Sequence, residues 1–191
     1  WNNAFPGVNI DYFSLTVDGY YNRVKDKIVA IPTMFIWKMM NMGTVGITGI
    51  DANLSAQFTL PLDMALRIEG SYTWQHAVDR TEEGSKIYGH QIPYTPEHSG
   101  TVSASLENRW VNVGWTLTAV GDRYSLPQNL DMNLIDGYIE QEISANHTFN
   151  LRKCKLRLQA EVLNLGNVSY DVIRYYPMPG RSFRASLRIT Y

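Results

Sequence analysis

The sequence predicts an all-β fold: an antiparallel transmembrane β-barrel with about eight strands in the chain. Three observations carry this. Apolar and polar residues alternate with period 2 from one end of the chain to the other. The connections alternate too. Tight turns near Pro61–Asp63, Glu107–Trp110 and Asn150–Lys153 are separated by long connections at about 31–43, 77–98, 123–136 and 165–181. A meander with its short turns at one end and its long loops at the other is built like an outer-membrane barrel. Last, the chain stops on Tyr191, at the end of an alternating strand.

The elements follow in order. A long first strand over about 8–30 carries Phe13, Leu15 and Val17 opposite Ser14, Thr16 and Asp18. Residues 50–58 set Ile50, Leu54 and Phe58 against Asp51, Asn53 and Gln57. Residues 64–75 set Met64, Leu66, Ile68, Tyr72 and Trp74 against Arg67, Glu69, Ser71 and Thr73, with both charges on one face. Residues 99–106 and 111–121 alternate Val102, Ala104 and Leu106, then Val113, Trp115 and Leu117, with Ser, Thr, Asn and Gly. The strand at 138–149 is imperfect, because Gln141 and His147 share a face with Ile139, Ile143 and Phe149. Residues 154–164 and 182–191 are regular again: Leu156, Leu158 and Val162, then Phe183, Leu187 and Ile189, oppose Arg157, Glu161, Arg184 and Arg188.

Parity alone does not say which face is inside. A soluble lipocalin-like barrel has its apolar face inside, and a membrane barrel has the reverse. Aromatic residues favour the membrane. Phe58, Trp110, Phe149 and Tyr191 fall at one level near the tight turns. Tyr20, Tyr21, Tyr72 and Trp74 fall near the opposite level. Two such belts suit the two headgroup zones of a bilayer.

Composition narrows the function. Charged residues are 18% of the chain, below the roughly 25% of average soluble proteins. A net charge of -1 gives no electrostatic case for nucleic acid. The most apolar stretch, Ile28–Met42, is shorter than a membrane-spanning helix and is interrupted by Pro32 and Lys38. The single Cys154 excludes an internal disulfide framework and any multi-cysteine metal site. His76, His90, His98 and His147 are scattered without metal-ligand spacing, so neither a metal nor a cofactor is expected. No Gly-x-Ser-x-Gly occurs, and adjacent His98 and Ser99 point to opposite faces of a strand, so an enzyme is not expected.

Several segments are more specific. Asn164-Leu165-Gly166-Asn167-Val168-Ser169-Tyr170 precedes Pro177-Met178-Pro179-Gly180-Arg181 and a strand with a terminal aromatic. Upstream stand Tyr20-Tyr21-Asn22, Gly49-Ile50-Asp51 and Ile92-Pro93-Tyr94-Thr95-Pro96-Glu97-His98. In this order, across almost the whole chain, they resemble the C-terminal barrel portion of TonB-dependent outer-membrane receptors. Asp51 stands where that family usually has Glu.

The resemblance implies a larger, about 22-stranded barrel closed by an N-terminal plug, of which residues 1–191 are the last third or so. The plug, the TonB box and the earlier strands are then expected upstream of Trp1. It also implies uptake of a scarce ligand, such as an iron-siderophore, cobalamin, haem or glycan. Outer-membrane lipid, TonB, the barrel-assembly machinery and a small nutrient ligand are the implied partners. A complete small porin-like or structural barrel, and a barrel hydrolase, stay open as alternatives.

The resemblance also implies that the long loops hold ligand, with aromatic and basic candidates at Tyr88 and His90 in loop 77–98, at Arg123 and Tyr124, and at Tyr175 and Tyr176. Arg181 reads as structural, tying the last loop to the rim. Leu187, Ile189 and Tyr191 are expected to form the signal read by the barrel-assembly machinery, beside their plain reading as lipid-facing residues.

Overall fold

The computed structural model describes residues 7–32 and 36–191. Trp1, where the sequence begins, and residues 33–35 of the predicted connection 31–43 lie outside the described residues. In chain order the strands are β1 (Asn9–Lys25), β2 (Ile28–Pro32), β3 (Trp37–Asn41), β4 (Thr44–Leu60), β5 (Met64–Asp79), β6 (His98–Glu107) and β7 (Asn112–Val120). They continue as β8 (Arg123–Tyr124), β9 (Leu134–Ile135), β10 (Tyr138–Asn150), β11 (Lys155–Leu163), β12 (Asp171–Ile173), β13 (Tyr176–Pro177) and β14 (Ser182–Thr190).

Eight strands form one antiparallel sheet in the order β1-β4-β5-β6-β7-β10-β11-β14. Each pairs with the next long strand in the chain, so the sheet is a meander. The β4–β5, β6–β7 and β10–β11 connections are the tight turns, and they share one end. The β4–β5 turn needs left-handed backbone at Leu62 and Asp63, with φ of 65° and 56°. The other end holds the long connections. Three carry a hairpin of their own: β2–β3, β8–β9 and β12–β13.

The structure amends the first predicted strand. It stops at Lys25, because Asp26 takes a left-handed φ of 52° and turns the chain. Ile28–Pro32 then pairs with Trp37–Asn41 rather than extending β1. The apolar stretch 28–42 is therefore largely a hairpin with a side to bury. Met42, Val45, Ala77 and Ile92 form a buried cluster, and Val29, Met40 and Ile47 pack against it. Apart from Ala56, the buried apolar residues lie at the long-loop end: Ile31, Val78, Ile135 and Tyr170 join that cluster's members there. Leu15, Val17, Leu158, Phe183 and Leu187 along the strands are exposed.

Candidate functional site

The strand register assigns every side chain to a face. Thr73 opposes Asp51 and Ser99, Thr101 opposes Ser71 and Thr118, and Gln159 opposes Asn146 and Ser186. Following these rungs puts Asp18, Asp51, Arg67, Glu69, Glu107, Glu140, Glu142, Lys155, Arg157, Glu161, Arg184 and Arg188 on one polar face. Several are bonded there. Thr73 donates to Asp51 at 2.7 Å, Arg67 donates to Gln57 at 3.2 Å, and Arg184 pairs with Glu161. The opposite face is Val, Leu, Ile, Ala and aromatic. The two irregular residues that β10 places there have partners: the Trp115 indole donates to the Gln141 carbonyl oxygen at 3.2 Å, and the His147 ring meets Phe149 edge-on at 4.4 Å. Tyr20 belongs to the polar face, not to an outer aromatic belt. It opposes Gly49, and its hydroxyl donates to Gln75.

At the loop end, on the polar side, side chains converge around Arg123. This residue is 4% exposed. Its Nη2 donates to the carbonyls of Asp171 at 2.6 Å and Val172 at 3.1 Å. It thereby clamps the β12–β13 hairpin to the start of the 121–137 loop. Its guanidinium lies 5.7 Å from the centre of the Tyr138 ring. Its Nη1 is buried without a hydrogen-bond partner among the described residues. Tyr138 stacks on Tyr170, whose hydroxyl donates to Glu140. Burial, then the Glu140 hydrogen bond and charge, hold the Tyr170 phenol well above its usual range. Burial also pushes the Tyr94 phenol up, against the pull of Arg174 and Arg123. A cleft of about 320 Å³ opens here, and Trp37, Tyr94, Tyr138, Arg123, Val172 and Ile173 are among its lining.

The last loop is tied by its own motif. Asn164 is 2% exposed, and its side-chain amide donates to the carbonyls of Val168 and Pro179 while its oxygen accepts from the Val168 amide. Asn167 accepts from the Arg181 amide, and Arg181 donates twice to the Leu165 carbonyl. Asn164 and Asn167 both take left-handed backbone, which Asn tolerates better than most residues. The two separated motifs are thus the two sides of one knot.

A family model described as TonB dependent receptor-like, beta-barrel, matches residues 4–165. The chain belongs to the TonB-dependent receptor β-barrel family. It is an outer-membrane barrel protein, so the apolar face meets lipid and the polar face lines the interior. Solved receptor structures share the fold. The ferric preacinetobactin receptor BauA of Acinetobacter baumannii superposes with a TM-score of 0.73 at 14% identity, covering 94% of this chain and 27% of that one. The siderophore receptor PiuA of the same organism gives 0.69 at 18%, covering 95% and 26%. The ferric-catecholate import receptor Fiu of E. coli K12 gives 0.66 at 18%, covering 93% and 25%. The chain therefore spans about a quarter of the length of these receptors. No curated protein sequence matches it.

In this receptor barrel the sequence-predicted residues separate. Arg123 lies in the cleft, and Tyr124 beside it accepts at its carbonyl from the Tyr94 amide. Tyr175 and Tyr176 lie on the same hairpin but are 69% and 52% exposed, with Arg174 stacked over Tyr175. Nδ1 of His90 lies 3.2 Å from the Pro127 carbonyl, joining two loops. Tyr88 stacks with Arg80 instead. Leu187 and Ile189 sit on the lipid-facing side opposite Leu158 and Leu156, and Tyr191 is 97% exposed. Sequence reasoning missed Tyr94, Tyr138, Glu140 and Tyr170. Tyr138 and Glu140, two residues apart, were already on one face by alternation, but nothing local paired them with Tyr170.

Proposed function

We propose that this chain is the C-terminal part of the barrel of a receptor that imports a small scarce ligand, siderophore-bound iron before cobalamin, haem or glycan, with TonB supplying the drive. We further propose that the cleft beside Arg123 holds part of that ligand. The observation that carries this is the convergence of a buried arginine with a spare donor, two tyrosines and Trp37 at the loop end of the polar face. A guanidinium among aromatic rings suits an anionic, aromatic-bearing iron chelate. The similarity to receptors named for a siderophore, ferric preacinetobactin and ferric catecholate supports that ligand class. The eight strands leave β1 and β14 unpaired with each other, which supports a part of a larger barrel over a complete small one.

The test is ligand binding and uptake by the full receptor with Arg123→Gln. Binding is expected to fall on the order of tenfold to a hundredfold at unchanged surface abundance. Unaltered affinity would remove the cleft from the site. Failure to support growth on any of the four ligand classes would remove the importer reading itself.

A further inference from the structure

The lipid-facing side of the eight long strands carries almost no formal charge. Reading each rung outward gives one pair of exceptions: Arg23 and Lys25, successive outward positions at the loop end of β1. They continue the outward row Phe13, Leu15, Val17, Gly19 and Tyr21. Arg80 joins them. Its amide donates to the Thr44 carbonyl at 2.8 Å, and Thr44 is also the register partner of Lys25. Arg23 opposes Gly46, and a Cβ built on Gly46 would lie 3.1 Å from Cγ of Arg80. Arg80 therefore projects over Gly46 on this same outward face. At the spacing of neighbouring strands, Lys25 and Arg80 are about 10 Å apart at their backbones, within reach of one small anion for side chains this long.

All three residues are exposed, and no carboxylate pairs with any of them among the described residues. Arg80 is held in place from above by the Tyr88 ring, 5.2 Å from its guanidinium. The glycine beneath it leaves room for its stem. Depth is set by Tyr21 just below and by Trp74 and Tyr72 two strands away, the ring types that settle at the headgroup level. Cations immediately beyond such a belt meet the phosphates of the leaflet, and arginine and lysine are the side chains suited to them.

We propose that Arg23, Lys25 and Arg80 form a binding site for a phosphorylated lipid headgroup of the outer leaflet, with Tyr88 bracing Arg80. The loop residue Tyr88 then serves the lipid flank rather than the transported ligand. Nothing in this site depends on what the receptor imports.

The receptor is purified in detergent and titrated with vesicles of phosphatidylcholine containing diphosphoryl lipid A, or the same lipid stripped of phosphate. Wild type is expected to prefer the phosphorylated lipid. R23Q/K25Q/R80Q is expected to bind it on the order of tenfold more weakly or worse. The charge-preserving R23K/R80K is expected to keep most of the binding, which separates lost charge from lost folding. A control triple at the tight turns, R109Q/R152Q/K153Q, is expected to bind as wild type does. Equal binding by wild type and R23Q/K25Q/R80Q overturns the site. So does an equal loss in both triples, which would mean attraction to net charge alone.

Discussion

The rings of Tyr138 and Tyr170 stack with their centres 4.0 Å apart and their planes at 19°. Tyr138 heads β10 and Tyr170 closes the knot before β12, so the stack fastens the last loop to the inner wall of the sheet. Glu140, one step along the same face, accepts the Tyr170 hydroxyl.

Tyr170→Phe should keep the stack and lose the hydrogen bond to a charged acceptor, costing about 1–3 kcal/mol locally. Hydrogen exchange of amides in 164–181 should accelerate while that of β10 and β11 stays slow. The pH dependence has a definite sign. The unfolded phenol ionises near 10, while the folded one is held higher by burial and Glu140. The stabilisation is therefore full below about pH 10 and is lost as pH rises above it. Tyr170→Phe should remove that alkaline loss, and an unchanged alkaline profile would exclude this coupling.

Gly49 should not accept a side chain. A Cβ there would sit 2.4 Å from the Tyr20 ring and hydroxyl and 2.9 Å from the Trp74 carbonyl oxygen. Gly49→Ala should destabilise the barrel by about 1–3 kcal/mol in denaturant titration in lipid. Adding Tyr20→Ala should recover part of that loss, because the contact with Trp74 remains. Strict additivity of the two changes would mean that Tyr20 is not the obstacle.

The face assignment separates two neighbours. Leu158 opposes Leu187 on the lipid side, while Gln159 donates to Glu161 on the polar side. Leu158→Arg should cost roughly 2–4 kcal/mol of folding stability near mid-bilayer, and Gln159→Arg should be mild. Equal costs in a bilayer refolding assay would invert the assignment.

The sequence by itself determined the strands, their two faces and the two unlike ends. Each of these is local: alternation at two-residue spacing names the face, and turn residues name the end. It did not determine where the first strand stops, because a single left-handed residue, Asp26, decides that against a continuing apolar pattern. It grouped Tyr20 and Tyr21 in one aromatic belt by level, although neighbours on a strand point to opposite faces, and the register with Gly49 and Thr48 sends one to the interior and the other to lipid. The candidate site was half legible. Arg123 could be named from its loop, but its grip on Asp171 and Val172 spans 48 and 49 residues. Contacts of that range leave no periodic trace in a sequence. They arise when antiparallel strands of matched length deliver distant loops to one rim, where residues with few local demands find their partners.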